Sequence, residues 1–176
     1  MRIITNEELI IHFPKGDVCQ YCFVFGGIKY AKPKWMLSQI PKNILENNIF
    51  IISPYNTSFN TAYSYLIKKY IKEDIDTKNI SLIGFSAGAK QVQKVYSRLF
   101  KSVVLIDPST NKNLSQKKYN NNTILIYNLG NWKEIPSVYQ EIPILEKNIL
   151  KGGGNSERNN IEHKEMVRYF FNNMCH

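Results

Sequence analysis

The sequence contains few cysteines, no long hydrophobic run and no recognisable leader. Three cysteines occur among 176 residues, and a chain of this length can bury a hydrophobic core without disulfide bonds. No apolar stretch approaches the roughly 20 residues of a membrane-spanning helix. The first residues, MRIITNEE, lack the basic and then apolar layout of a secretory signal. We therefore expect a single domain over residues 1–176, located in the cytoplasm.

Two of the cysteines form a C-x-x-C motif, which in other chains binds a metal ion or forms a redox-active disulfide. Cys19 and Cys22 lie in a predicted strand, Val18–Phe25. Residues three apart in a strand point to opposite faces, so these thiols cannot share a metal ion or a disulfide bond. Cys175 stands alone near the end of the sequence. We expect no metal and no cofactor.

Acidic residues are also scarce, since the sequence has 14 of them against 23 basic residues and a formal net charge of +9. Such a charge suggests nucleic-acid binding, but its distribution argues against this function. Several cations occupy the polar sides of two amphipathic helical patterns. They are Lys68, Lys69 and Lys72 in the first pattern and Lys90, Lys94, Arg98 and Lys101 in the second. We interpret a denser cluster, Lys29, Lys32 and Lys34, as a basic rim near a small-molecule site.

Strand and helix patterns alternate along the chain. The predicted strands are Ile3–Thr5, Leu9–Phe13, Val18–Phe25, Ile49–Ser53, Ile80–Ile83, Ser102–Ile106, Thr123–Tyr127 and Ile144–Leu150. The predicted helical segments are Trp35–Asn47, which Pro41 disturbs, Phe59–Glu73 with Thr57 or Ser58 as its cap, Ala87–Phe100, Pro136–Glu141 and Lys164–Asn173. Apolar runs such as Phe50-Ile51-Ile52 are typical of strands buried on both faces. We expect an α/β domain of three layers, α/β/α, with a doubly wound, mostly parallel sheet.

The most informative motif is Gly84-Phe85-Ser86-Ala87-Gly88, which follows one of these strands and opens a helical pattern. A serine between two glycines at a strand-to-helix turn can be held in a strained conformation that exposes its hydroxyl above the sheet. The glycines leave space for the sharp turn, and the first N–H groups of the helix point at any negative charge that forms beside Ser86. The alternative is an ordinary tight turn with a capping serine.

A serine hydroxyl is a poor nucleophile at neutral pH and needs a base within hydrogen-bond reach. Of the three histidines, His12 lies in an early strand and His176 is the last residue. His163 immediately precedes the terminal helical pattern. A histidine on a loop that a docked helix anchors can be placed over a serine, so we predict that His163 is the base. The alternative is an exposed histidine at a helix N-terminus.

The base in turn needs a carboxylate that holds its tautomer and stabilises the imidazolium. Asp107 is the only aspartate after Ser86, and it directly follows the strand Ser102–Ile106. Glu134, which follows the next strand, is the rival. Asp107 precedes a proline, and an Asp-Pro pair also commonly starts a turn. We predict Asp107 as the acid and keep Glu134 open.

The negative charge that develops on a reacting carbonyl oxygen needs fixed hydrogen-bond donors, which form an oxyanion hole. The backbone N–H of Ala87, directly after the serine, is one natural donor. Gly26 and Gly27 end an earlier strand and allow a second N–H to approach closely. We predict Gly27 as this donor, with Ile28 as the near alternative. An ordinary Gly-Gly strand exit fits the same residues.

With these residues in the order Ser86, Asp107 and His163, the chain resembles the α/β-hydrolase superfamily over nearly all of its length. Its serine motif is similar to the family's nucleophile elbow. Phe25-Gly26-Gly27 is similar to the family's oxyanion strand exit, where Phe25 stands in place of a histidine that is often found there. The resemblance implies the α/β-hydrolase fold and a Ser-His-Asp triad.

One feature departs from the family pattern. The family's acid usually follows the strand after the one that Asp107 ends, and that place holds Asn128 to Asn131 with no aspartate. Some members carry the acid one strand earlier, which matches Asp107. The family often inserts a cap domain after this earlier strand, but here the loop Pro108–Asn122 is too short and polar for a helical cap. We therefore expect an open site without a cap domain.

These features together predict a serine hydrolase that cleaves a carboxylic ester or thioester of a small molecule through an acyl-Ser86 intermediate. An amidase or peptidase would use the same triad. The alternative class is a hydrolase-fold protein that binds a ligand or a partner without turnover, which the missing aspartate and the net charge suggest. Nucleic-acid binding is a distant third.

Overall fold

A sheet organises the part of the chain that the structure describes. In this computed structural model, these are residues 2–5, 9–28, 31–97, 99–106, 108, 123–126, 167–168 and 170–171. The strands are β1 (Arg2–Thr5), β2 (Ile10–Phe13), β3 (Gln20–Phe25), β4 (Asn48–Ser53), β5 (Ile80–Phe85), β6 (Ser102–Ile106) and β7 (Thr123–Ile126). Within the described residues they form one seven-stranded sheet in the order β1-β2-β4-β3-β5-β6-β7.

Most of this sheet is parallel. Strands β4, β3, β5, β6 and β7 run in one direction, and β2 and β1 add an antiparallel pair beyond β4. All six residues of β5 are buried, as expected for a strand covered on both faces. The register pairs Phe25 with Gly84 and Phe85 with Ile106. The carboxyl ends of β3, β5 and β6 therefore lie side by side at one edge of the sheet.

Local chemistry explains the division between the first two helices and the start of the third. They are α1 (Pro33–Ser38), α2 (Lys42–Leu45), α3 (Phe59–Leu66) and α4 (Ala89–Val95), with a π-helical turn at Ile67–Ile71 and 3₁₀ turns at Thr77–Asn79 and Ser86–Gly88. Pro41 separates α1 from α2, because proline cannot donate the backbone hydrogen bond that a helix interior needs. Ser58 caps α3, since its Oγ accepts a hydrogen bond from the Thr61 N–H at 3.1 Å.

Two hydrophobic clusters cover the two faces of the sheet. One packs α3 and α4 on the sheet through Ala62, Leu66, Ala89 and Val92. The other packs α1, α2 and the helical residues near the carboxyl terminus through Met36, Ile44, Val167, Phe170 and Phe171. Helices thus lie on both sides of a mostly parallel sheet. The prediction of a three-layer α/β/α domain is confirmed.

Two predicted helices are longer than the observed ones. The helix predicted over Ala87–Phe100 ends at Val95, and Tyr96 has non-helical backbone angles. The chain must leave the helix there because the Lys101 N–H donates to the Ile80 carbonyl oxygen at 2.9 Å, which starts β6 beside β5. As a result Leu99 lies beyond the end of the helix and is 63% exposed. The helix predicted to Glu73 is α-helical only to Leu66 and continues as the π-helical turn.

Several predictions fall outside the described residues. They are the turn at Pro136–Glu141, the strand Ile144–Leu150, nearly all of the loop Pro108–Asn122 and most of the terminal helix Lys164–Asn173. Among the residues that are described, no helix combines the length and the apolar character needed to cross a membrane.

Candidate functional site

Ser86 lies directly after β5, at the start of the 3₁₀ turn that leads into α4. Its φ angle is 50°, in the left-handed region. An L-residue other than glycine pays roughly 1–2 kcal/mol there, because its Cβ approaches the following carbonyl oxygen. The side chain is partly exposed at the carboxyl edge of the sheet. Ser86 therefore has the strained strand-to-helix geometry that presents a hydroxyl above a sheet.

The two glycines of the motif allow this turn to pack tightly. A Cβ on Gly84 would lie 2.5 Å from the Cα of Ala89 and 2.9 Å from a methyl carbon of Val92. A Cβ on Gly88 would overlap the carbonyl groups of Phe25 and Gly26. Both positions thus exclude a side chain, the first because α4 lies close against β5 and the second because the turn lies close against the exit of β3.

The exit of β3 is held by two backbone hydrogen bonds. The Gly26 N–H donates to the Ser53 carbonyl oxygen at 3.0 Å, and the Gly27 N–H donates to the Ala31 carbonyl oxygen at 3.1 Å. A Cβ on Gly27 would lie 3.1 Å from the ring of Phe85, the residue that precedes Ser86 in the sequence. The predicted donor Gly27 therefore packs against the ring of the residue that precedes the serine, but its N–H already has an acceptor. The sequence carries no sign of the bond to Ala31.

The second predicted donor, Ala87, lies inside the 3₁₀ turn Ser86–Gly88 and is buried. The first N–H groups of a helical segment have no acceptor within the helix. They carry the positive end of the peptide dipoles and favour negative charge beside the turn. This arrangement suits an oxyanion that forms next to Ser86.

A hydrogen bond attaches the loop after β4 to α4, at the edge of the sheet that carries Ser86. The side-chain amide of Gln91, in α4, donates to the Tyr55 carbonyl oxygen at 2.9 Å. Tyr55 follows β4, and its side chain is 37% exposed. The loop after β4 is therefore attached to the helix that follows Ser86. The role of Gln91 could not be predicted from the sequence, because neither its spacing nor its residue type sets it apart.

His12 is the one histidine among the described residues, and its position rules it out as a base for Ser86. It is 1% exposed, and its Nε2 lies 2.9 Å from the Leu45 carbonyl oxygen. A carbonyl can only accept, so this nitrogen carries the hydrogen. His12 is in β2, three strand positions from β5, which is about 14 Å at the usual strand spacing. His163, the predicted base, and His176 are both outside the described residues.

The acidic side chains of the described residues all lie at the opposite edge of the sheet. They are Asp17 before β3, Glu46 before β4, and Glu73, Asp74 and Asp76 before β5. None of them can reach a base above Ser86. Asp107 and its rival Glu134 are outside the described residues, so the acid of the site stays a prediction.

Part of the predicted basic rim lies at the edge that carries Ser86. Lys32 and Lys34, at the start of α1, are exposed, and Lys29 is outside the described residues.

A groove of about 520 Å³ lies away from this edge, along the outer side of α3. The residues lining it are Asn60, Thr61, Ser64, Tyr65, Lys68 and Lys69. No predicted site residue lines this groove.

The described residues offer no separate metal or redox centre. Cys19 is exposed and precedes β3, whereas Cys22 is buried within that strand, and both are free thiols. No group of three or more histidine, cysteine or acidic side chains is placed to hold a metal ion in this part of the chain.

Burial raises the pKa of the Tyr21 phenol above its usual 10.0, and the nearby charge of Glu73 adds to the shift. Tyr21 lies near the start of β3, far from the edge that carries Ser86.

Solved structures with the same architecture come from the α/β hydrolases. Est1E from Butyrivibrio proteoclasticus is 10% identical, with a TM-score of 0.54 over 97% of this chain and 96% of that chain. MGS-M1, an α/β-hydrolase enzyme from a Medee basin deep-sea metagenome library, is 14% identical, with a TM-score of 0.56 over 99% and 94%. An S-formylglutathione hydrolase from Agrobacterium tumefaciens is 10% identical, with a TM-score of 0.57 over 96% and 91%.

These likenesses and the strand order define the fold as that of the α/β hydrolases. At such identities they establish the architecture alone. No protein-family model matches the sequence, and no curated protein matches it. The family resemblance inferred from Ser86 and its flanking glycines is confirmed at the level of the fold.

Replacing Gly88 by alanine tests the contact between the turn and the exit of β3. The new methyl group would overlap the carbonyl groups of Phe25 and Gly26, so we expect the free energy of unfolding to fall by about 1–3 kcal/mol. Gly16→Ala is the matched control, because the nearest atom to its Cβ would be the Glu46 carbonyl oxygen at 4.0 Å. Urea denaturation of the two variants measures the difference, and equal stabilities would contradict the observed packing.

Two replacements of Ser86 test its backbone strain. Both Ser86→Gly and Ser86→Ala remove the hydroxyl, but only glycine adopts a φ of 50° without strain. We expect the glycine variant to be the more stable by about 1 kcal/mol. Urea denaturation at neutral pH measures both variants. An alanine variant as stable as the glycine variant would mean that Ser86 is not strained in solution.

Proposed function

We propose that the protein is a serine hydrolase that cleaves a carboxylic ester or thioester of a small molecule through an acyl-Ser86 intermediate. The observation that carries this proposal is the φ of 50° at Ser86, at the carboxyl edge of an α/β-hydrolase sheet. Strained residues persist where the surrounding structure holds them, and they cluster at active sites. A turn that served only to connect β5 to α4 would be more stable with glycine in this position.

In the proposed reaction, His163 takes the proton from the Ser86 hydroxyl while the oxygen attacks the carbonyl carbon of the substrate. Asp107 orients His163 and stabilises its charged form. The tetrahedral intermediate collapses as the C–O or C–S bond breaks, and His163 gives its proton to the leaving alcohol or thiol. Water then attacks the acyl-enzyme with His163 again as base, which releases the acid and restores Ser86.

The charge on the tetrahedral intermediate requires donors at the elbow and at the exit of β3. The Ala87 N–H is the proposed donor at the elbow, and Gly27, with Ile28 as alternative, is the proposed donor at the exit. Open access to Ser86 and the absence of a cap domain remain part of the proposal. They favour esters whose carbonyl is accessible at the surface of the protein, and an amidase using the same residues is a variant of the same chemistry.

One observation favours a second function, the binding of a ligand or partner without turnover. The Gly27 N–H donates to the Ala31 carbonyl oxygen, so the predicted oxyanion donor is occupied. A protein that lacked this donor would stabilise the oxyanion poorly. The two functions differ in whether Ser86 is ever acylated.

Kinetics of ester and thioester hydrolysis test the proposed triad. We expect Ser86→Ala, His163→Ala and Asp107→Asn each to lower kcat/KM by about 10³-fold or more, because each removes a group that acts in the transition state. Glu134→Gln is the comparison that identifies the acid. If Glu134→Gln loses the activity and Asp107→Asn keeps it, the acid is Glu134; if Ser86→Ala keeps full activity, the proposed function is wrong.

A further inference from the structure

Two large apolar side chains are exposed at the edge of the sheet that carries Ser86. Ile28 follows β3 and is 60% exposed, and Tyr55 follows β4 and is 37% exposed. A single exposed apolar side chain is common on a soluble protein and needs no explanation. Two of them at the exits of paired strands, next to a candidate nucleophile, are typical of a surface that binds a ligand.

One backbone hydrogen bond joins the two strand exits. The Gly26 N–H donates to the Ser53 carbonyl oxygen at 3.0 Å. Ile28 and Tyr55 each lie two residues beyond this bond, so the Cα of each is at most about 7 Å from its bonded residue. In the sheet, β3 is next to β5 and β4 is next to β3. The two side chains therefore follow strands that lie about 5 and 10 Å from the strand that leads to Ser86.

The backbone of Tyr55 is fixed although its side chain is exposed. The Thr57 N–H donates to the Pro54 carbonyl oxygen at 3.1 Å, which closes a β-turn with Tyr55 at its second position. The side-chain amide of Gln91, in the first turn of α4, donates to the Tyr55 carbonyl oxygen at 2.9 Å. Tyr55 is thus attached to the helix that follows Ser86. Ordering a tyrosine side chain on a ligand then costs the entropy of only two torsion angles.

The backbone before Ile28 is fixed against the turn that carries the serine. A Cβ on Gly27 would lie 3.1 Å from the Phe85 ring, and a Cβ on Gly88 would overlap the Gly26 carbonyl group. The glycines that lead to Ile28 therefore pack against residues on both sides of the serine. Since the backbone is already ordered, a ligand that contacts the exposed Ile28 side chain pays little to order it.

We propose that Ile28 and Tyr55 form an apolar subsite beside Ser86, which binds an alkyl chain or an aromatic ring of the substrate. Gln91 is a positioning residue that holds Tyr55. This inference rests on the proposed function and deepens it, because it makes an apolar group of the ester or thioester the determinant of specificity. The carboxylates of the described residues lie at the opposite edge, so among these residues a cationic group of the substrate would have no partner beside Ser86.

The dependence of hydrolysis on substrate length tests the subsite. One series varies the acyl chain of p-nitrophenyl esters from acetate to hexanoate, and the other varies the alcohol of acetate esters from methyl to hexyl. We expect the native protein to prefer the longer members of one series, which shows whether the acyl part or the leaving group occupies the subsite. Ile28→Ala and Tyr55→Ala are each expected to raise KM for the longest member about tenfold more than for the shortest, because apolar contacts bind substrate and transition state alike.

Three further variants separate this role from a structural one. Leu99→Ala is the matched control, because Leu99 is 63% exposed between α4 and β6, away from Ser86, and it is expected to keep the native preference. Tyr55→Phe keeps the ring and is expected to keep the preference too. Gln91→Ala is expected to lose it as Tyr55→Ala does, through KM rather than kcat. Ile28→Ala retains its backbone N–H, so its effect reports on the side chain alone.

The native protein separates this inference from the proposed function. If it hydrolyses esters with no preference for longer members in either series, or if Ile28→Ala and Tyr55→Ala both keep the native preference, the subsite is wrong and the proposed function stands. If the native protein hydrolyses no ester or thioester and is not acylated at Ser86, the proposed function is wrong and the subsite is wrong with it.

Discussion

The contact of Gly88 with the carbonyl groups of Phe25 and Gly26 is the constraint on which the rest of the site depends. It brings the turn after β5 against the exit of the neighbouring strand β3, with no side chain between the two backbones. Gly84 does the same between β5 and α4. Ser86 lies between these contacts, and the packing on both sides holds its left-handed conformation.

The carboxylates of the described residues lie at one edge of the sheet only. Ser86, Lys32 and Lys34 lie at the carboxyl edge, whereas the described carboxylates lie at the amino edge. The ring of His12 is buried and is hydrogen-bonded to the Leu45 carbonyl oxygen. Asp107 and His163, the proposed acid and base, follow β6 in the sequence and lie outside the described residues.

Much of this arrangement could be predicted from the sequence, because it follows from strong local signals. The buried strand Ser102–Ile106 has the predicted bounds, and Pro41 divides the first helical region as proline must. The end of α4 at Val95 was not predictable, since the position of β6 rather than the helical pattern decides it. The bond from Gly27 to Ala31 was not predictable either. A backbone hydrogen bond within a loop depends on its path, and no residue type marks it.

The reactivity of Ser86 is the central claim, and covalent labelling measures it most directly. Intact-mass analysis after treatment with a fluorophosphonate probe compares the native protein with Ser86→Ala. A single adduct on the native protein and none on the variant is the predicted result, because only an activated serine displaces the fluoride. A folded native protein that gains no adduct would contradict the account and would favour binding without turnover.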